Sequence, residues 1–447
     1  MQESTPVTHT SQRSAPGVAF LWDESFIWGL MAYRALKGLG LPFDLIKAED
    51  IKTGALNEYK MLFVPGGWAS NKGKALGDSG LKAIREFVEN GGNYLGFCGG
   101  AGLATEAKGG IGLLNVRRRP TRERVPSFSG RIRLNLNEHS IWNGILESGV
   151  KGQELGEKKG ELNSSLTTHP SNLIFHAWWP SQFIVEDNSI KTLAAYGDAL
   201  TDAFSSDLNV GDVESGSRWE ELEAVYQINL NPERLKYEPA VIEGTYGKGK
   251  VILSLVHFDT PDDANGQHVL LNLWEYLAGG HNSAQDRKRA STKEKTSELS
   301  RFRAFELFTI CSELISLGER NFLWFWRNSM LLQWRRGVRG LEYNTLYIMM
   351  KEISVRLDHQ SRKGITQDID NCIDNTKVLL EPFVEKAKNL LLLERYALQK
   401  GHITYERCDD PEIQKLRGEL FSESKSHGGM FKELVNEIDK LLFLLLT

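Results

Sequence analysis

Paired cysteines are missing from this chain. Its four cysteines, Cys98, Cys311, Cys372 and Cys408, show neither a Cys-x-x-Cys spacing nor a disulfide framework, which suits a reducing compartment. A positive charge excess is missing too. The net charge of −4 gives no gross attraction to nucleic acid or to an anionic membrane surface. No run approaches the roughly 18 apolar residues that a membrane span needs. The N-terminal Met1-Gln2-Glu3-Ser4-Thr5-Pro6 has no basic–apolar signal pattern. From these absences a cytoplasmic protein without a transmembrane segment is expected. Glycine and proline run out late in the chain: only eight of 42 glycines, and only Pro382 and Pro411 of 13 prolines, lie beyond residue 280. That shortage excludes a turn-rich C-terminal half and points to long helices.

At 447 residues the chain has room for two or three domains. Residues 1–16 are rich in Ser, Thr, Gln and Pro and are expected to be disordered. From Gly17 strand and helix patterns alternate: a strand at Val18–Trp22, a helix at 26–38 stopped by Gly38 and Gly40, strands at 43–46 and 61–64, a helix at 80–90 and a strand at 94–97. This β-α-β-α order predicts an α/β fold, a flavodoxin-like doubly wound sheet spanning 17–280. Residues 281–298, with Asp286-Arg287-Lys288-Arg289, read as a charged linker. Apolar residues at helical spacing then predict a separate all-α helical bundle over 299–447. Within it, Phe322–Trp326 and Met330–Arg336 are aromatic and basic, either a core helix of the bundle or a face that binds a partner or membrane surface. The terminal Leu441–Leu446 is too short to span a membrane and is expected to pack or pair.

The richest local feature is Gly96-Phe97-Cys98-Gly99-Gly100. It follows a short apolar strand and precedes a small-residue run, Ala101-Gly102-Leu103-Ala104, that can begin a closely packed helix. A nucleophile held on such a turn needs small neighbours because the chain doubles back in a strained conformation. With cysteine at its centre, the turn aims the thiol at the positive end of a helix, which favours thiolate. A second element, Met61–Val64 followed by Pro65-Gly66-Gly67-Trp68, ends a strand in a turn whose N–H groups can point into a cleft. With the N–H of Gly99, the N–H of Gly67 could form an oxyanion hole. The third element, Gly247–Val256, leads to His257 with Asp259 two residues on. A histidine that takes a thiol proton needs a carboxylate to fix its tautomer and stabilise the imidazolium. Each element alone has an ordinary structural explanation; the three in this order are far more specific.

These elements resemble the class I glutamine amidotransferase-like fold over residues 17–280. The stretch from Val64-Pro65-Gly66-Gly67 to Gly92-Asn93-Tyr94-Leu95-Gly96-Phe97-Cys98-Gly99-Gly100-Ala101 is most similar to the N-terminal domain of eukaryotic-type biotin–protein ligases. The resemblance implies Cys98 as nucleophile, His257 as base, Asp259 as its orienting acid, and Gly67 and Gly99 at the oxyanion hole. The chain departs from the amidotransferase pattern twice. Asp259 stands where the family usually has Glu, and Gly100-Ala101 where it usually has Gln shortly after the elbow. No Gly-Arg-Gly-Arg-type biotinyl-adenylate loop occurs, so biotin ligation is not implied.

Around the elbow, Gly66, Trp68 and Trp178 are candidate substrate-binding residues, although Trp178 and Trp179 fit aromatic core packing equally well. Seven arginines lie between 117 and 133 (117, 118, 119, 122, 124, 131, 133), either a solvated loop or a site for an anionic substrate or partner. Asp23 and Glu24 follow the first strand and are read as an exposed loop, with the cleft as the alternative. No cofactor or metal is expected. The function expected is a cysteine-dependent hydrolase or amide/acyl transferase acting on a small amide or carboxyl-type molecule. The alternative is a non-catalytic sensor or scaffold that keeps the cleft and recruits a protein partner through its helical domain.

Overall fold

The computed structural model describes residues 17–145, 172–216, 218–279, 298–359, 367–401, 403–404, 408–423 and 426–447. The expected disordered N-terminus, and the linker apart from its last residue, lie outside the described residues. Five segments line up as parallel neighbours in the order Gly249–Ser254, Asn93–Phe97, Met61–Val64, Val18–Leu21, Asp44–Ile46. Val18–Leu21 and Met61–Val64 are buried at every position, as strands covered on both faces must be. Each such apolar side chain contributes about 1.5–3 kcal/mol by leaving water. Because the five run the same way, their carboxyl ends share one edge, and Asp23, Gly66, Cys98 and His257 all follow from that edge.

On the other side of Gly249–Ser254 the sheet continues antiparallel through Pro239–Tyr246, Lys191–Ala199 and Phe128–Leu136. Phe128–Leu136 also pairs with Asn172–Trp178 and Phe204–Ser205. The result is a mixed α/β fold with one large central sheet of 11 strands, followed by C-terminal helices. The helix expected at 80–90 starts much earlier, at Ala69, and runs to Glu89 with a bend at Gly77 (φ 58°). Glycine tolerates that conformation without strain, and Gly73 and Gly77 hide the helical pattern of the first half.

The C-terminal helices are Glu298–Arg320, Gly340–His359, Gln367–Lys400, Pro411–Phe421 and Gly429–Leu446. One expectation here is corrected. The aromatic stretch is not a core helix but an antiparallel hairpin, Trp324–Trp326 with Leu332–Trp334. Although its bulky residues are consecutive, their burial changes from one to the next as on a strand: Trp324 is buried while Phe325 is 52% exposed. Asn328 Oδ1 accepts from the N–H groups of Met330 and Leu331 (both 2.8 Å), fixing the loop. The hairpin and last helix rest on the carboxyl edge of the parallel strands. Trp334 stacks on Trp179 (centroids 5.1 Å, 23°), Trp22 Nε1 donates to Asp439 Oδ1 (3.0 Å), and Lys432 pairs with Glu24 (2.7 Å). Leu441, Leu442 and Leu445 are buried, so the terminal leucines pack.

Candidate active site

Cys98 stands between the strand Asn93–Phe97 and a short helix, Gly99–Leu103, with φ 48° and ψ −102°. Positive φ in a residue bearing a Cβ is strained and persists only where the surroundings enforce it. Here they do. The Cys98 N–H donates to Ser254 O (2.7 Å) on the next strand, and the Gly102 N–H returns to Cys98 O (2.9 Å). The glycines around it are close approaches rather than hinges. A Cβ on Gly99 would overlap the Gly67 carbonyl, and one on Gly100 would overlap that of Val64. Gly67 itself has φ 117° and closes on the Glu24 carbonyl. The cysteine turn and the Pro-Gly-Gly turn therefore touch backbone to backbone. Neither the Gly67 nor the Gly99 N–H donates to a backbone carbonyl among the described turns and loops.

His257 lies three residues beyond the strand Gly249–Ser254, fully buried. Its Nδ1 is 2.9 Å from Asp259 Oδ1, so the carboxylate sets the tautomer. Its backbone is held on both sides: the N–H donates to His176 O (2.8 Å), and the C=O accepts from Thr260 Oγ1 (2.9 Å). The Thr260 hydroxyl in turn accepts from Trp178 Nε1 (2.9 Å). Trp178 is thus a buried brace for the histidine loop. Trp28 lies over the imidazole (centroids 4.9 Å, 36°), and Gly66 fits between them: a Cβ there would be 3.0 Å from Trp28 Cβ and 3.1 Å from His257 Cε1. Trp68 is 36% exposed at the start of the following helix.

Cys98 and His257 perturb each other. Burial pushes the thiol up, but its interaction with the imidazole, the Arg118 charge and the Gly99 N–H bring it below the ordinary thiol value. Burial pulls the imidazole down, but Asp259 and the thiol raise it to about 10. His257 Nε2 is nonetheless buried with no hydrogen-bond partner of ordinary geometry among the described residues, as is Asp259 Oδ2. Hydrogen bonds between a nucleophile and its base are commonly long in an unliganded site and tighten only with substrate in place.

The Asp23–Glu24 loop is corrected from exposed to tied down. Asp23 Oδ2 accepts from the Ala48 N–H (2.6 Å), and its carbonyl accepts from Lys72 Nζ (3.0 Å). Lys72 also reaches Ser25 Oγ; its ammonium is buried and pulled down to about 7 by desolvation, against the charges of Asp23 and Glu24. Most of the arginine run is solvent-facing and paired: Arg117 with Glu186, Arg119 with Glu238, Arg122 with Glu123, Arg131 with Asp202. Arg118 turns inward. Trp28 and Lys72 escaped the sequence, because an aromatic in a helix and a lysine in a polar stretch carry no motif. Among the described residues no group of three or more His, Cys, Asp or Glu could hold a metal, and no helix is long and apolar enough to cross a membrane.

Comparison with known proteins gives one sequence match and several distant structural ones. No curated protein matches the chain. A crystal structure of glutamine amidotransferase is 18% identical, covering 59% of this chain and all of that one (TM-score 0.34). A protein described as a GMP synthase subunit, from Thermoplasma acidophilum, is 13% identical over 58% of this chain and 94% of its own (TM-score 0.35). A β-galactosidase from Bacillus circulans sp. alkalophilus is 14% identical over 59% of this chain and 31% of its own (TM-score 0.33). Residues 46–108, which carry both the Pro-Gly-Gly turn and the cysteine elbow, match the family described as biotin-protein ligase, N terminal.

Proposed function

We propose that this protein is a cysteine-dependent hydrolase or amide/acyl transferase acting on a small amide or carboxyl-type molecule, with Cys98, His257 and Asp259 as its triad. The observation that carries this reading is the geometry of the elbow: Cys98 is held at φ 48° on a turn packed against the Pro-Gly-Gly turn, and His257 Nδ1 lies 2.9 Å from Asp259 Oδ1, with the thiol shifted down and the imidazole up. These opposed shifts favour the proton on the imidazole over the proton on the thiol, the direction of a thiolate–imidazolium pair. The Cys98 thiolate attacks the substrate carbonyl, and the N–H groups of Gly67 and Gly99 stabilise the oxyanion. His257 gives its proton to the leaving group, and Asp259 holds the ring in place. Water or an acceptor then releases the acyl group from sulfur. The parallel strand order, with Val18–Leu21 between Asp44–Ile46 and Met61–Val64, supports a doubly wound flavodoxin-like sheet with its site beyond the strand ends.

Alkylation with iodoacetamide at pH 7, followed by peptide mapping, tests the reading. Cys98 should label at least about 100-fold faster than the buried Cys311, and His257→Gln should remove most of that advantage. Equal labelling of the two cysteines would end the proposal. A second reading, a ligand sensor, draws support from the aromatic chain that links His257 through Trp28 and Trp179 to Trp334 of the C-terminal hairpin. Small amides that stabilise both wild type and Cys98→Ser, without turnover by wild type, would favour it.

A further inference from the structure

The inward-turned arginine has a neighbour in the same condition. Arg118 ends the strand Val116–Arg118, and its guanidinium lies against the helix behind the elbow: a Cβ on Gly102 would fall 2.6 Å from Arg118 Nη1 and 2.8 Å from Cζ. Gly102 is one helical turn from Cys98, to whose carbonyl its N–H is bonded. Arg124 is tied to the backbone of the residue after Arg118, and burial, with the Arg118 charge second, lowers its guanidinium to about 10. Arg124 Nε donates to the Arg119 carbonyl, which orients it without neutralising it. Among the described residues neither Arg118 nor Arg124 has a carboxylate partner, whereas Arg117, Arg119, Arg122 and Arg131 each have one. Both side chains are only half-buried, so a ligand can reach them.

Two adjacent, partly desolvated guanidinium groups without a counter-charge are unfavourable by themselves. They match an oxyanion, which guanidinium binds with two parallel hydrogen bonds. We infer that Arg118 and Arg124 form an anion subsite beside Cys98, and that the ligand of this cleft carries a carboxylate or phosphate group next to the carbonyl that the cysteine attacks. This rests on the proposed function for the identity of the attacking group, but not for the binding itself. The subsite explains why one arm of an otherwise solvated arginine run turns inward, and it narrows the substrate class to acidic amides or acyl compounds.

The test separates the two claims by removing the nucleophile. Binding of succinate and of inorganic phosphate to full-length Cys98→Ser is measured by calorimetry at constant ionic strength, with neutral succinamide as the control. At least one anion should bind, succinamide should bind at least about 10-fold more weakly, and adding Arg118→Gln or Arg124→Gln should weaken the anion about 10-fold or more. The preference between succinate and phosphate tells a carboxylate ligand from a phosphorylated one. Unchanged melting of the arginine variants guards against misfolding. If one variant melts early, the other decides. In wild type, the iodoacetate-to-iodoacetamide rate ratio at Cys98 should fall in Arg118→Gln, because any change in thiolate fraction cancels from the ratio. Anions that bind no better than succinamide, or equally well to both arginine variants, would overturn the subsite even where Cys98 proves reactive. Slow alkylation of Cys98 by both reagents, with anion binding intact, would overturn the enzyme and leave the subsite standing.

Discussion

The elbow and the C-terminal helices treat the same side chain in opposite ways. Cys311, in the middle of Glu298–Arg320, is fully surrounded, and burial alone pushes its thiol far up. Cys372, on Gln367–Lys400, is pushed up to about 11 by burial and by Glu437. Cys98 has its burial opposed by an imidazolium, a guanidinium and a backbone N–H. The contrast teaches that the setting of Cys98 comes from what the glycines allow. Gly67 and Gly99 bring two main-chain turns into contact, and no side-chain packing in the helical region achieves that. The helical region instead uses large aromatics, with Phe383, Phe421 and Phe431 meeting edge to face or tilted at 6.0–6.2 Å.

The sharpest way to break the contrast is to add one methyl group. Gly99→Ala should destabilise the protein by about 3–5 kcal/mol or displace the Pro-Gly-Gly turn, because the overlap is with backbone that cannot rotate away. Chemical denaturation together with Cys98 labelling would register either outcome. Gly418→Ala, in the helix Pro411–Phe421 where a Cβ meets nothing within 4 Å, should stabilise by up to about 1 kcal/mol.

A mid-sized effect should come from pH. His257 is raised from 6.5 to about 10, so taken alone its contribution to stability is full below pH 6.5 and lost as pH rises through 10. Cys98 is lowered from 9.0, so its contribution is present above pH 9.0 and lost as pH falls through the folded value. From pH 9.0 down to pH 6.5 or to the folded Cys98 value, whichever is higher, the folded pair holds one proton on the imidazole and the unfolded pair one on the thiol, and their joint slope is zero. Stability of wild type minus that of the Cys98→Ser/His257→Gln double variant should therefore be flat across that window. Above pH 9.0 it should fall by up to about 1.4 kcal/mol per pH unit. A slope inside the window would mean that the two groups are not a proton-sharing pair. Cys98 alkylation should also stay fast below the pH at which an ordinary thiol slows, and His257→Gln should abolish that persistence.

The smallest effect is set by the arginine run. Arg117→Gln removes an ion pair with Glu186 in which both side chains are exposed, and should change stability by less than about 0.5 kcal/mol. It should also leave Cys98 labelling unchanged. A large loss on either measurement would erase the distinction between the outward and inward arginines.

Much of the site was legible because its chemistry needs rare local patterns. A thiol on a strand-ending glycine turn, Pro-Gly-Gly after an apolar strand, and His257 with Asp259 two residues later each announce themselves within a dozen residues. The bundle's helices were legible for a different reason, since glycine and proline shortage with periodic apolar residues leaves few alternatives. The hairpin was not. Phe322–Trp334 is aromatic enough for either a helix or a strand pair, and Asn328 settles the matter only once its side chain meets Met330 and Leu331. The antiparallel strands Phe128–Leu136 and Lys191–Ala199 were equally hidden, because strand partners lie about 60 residues apart in the chain.

What the sequence determined by itself is therefore which groups are candidates for chemistry and the backbone freedom around them, since glycine and cysteine act through properties they carry anywhere. What only the tertiary structure decided is which charges meet those groups. Arg118 turns in while Arg117 turns out, Lys72 is buried against Ser25, and Trp334 reaches Trp179 from a distant part of the chain. Electrostatic and aromatic contacts depend on distances of a few ångströms between segments far apart in the sequence, and no local pattern encodes those distances.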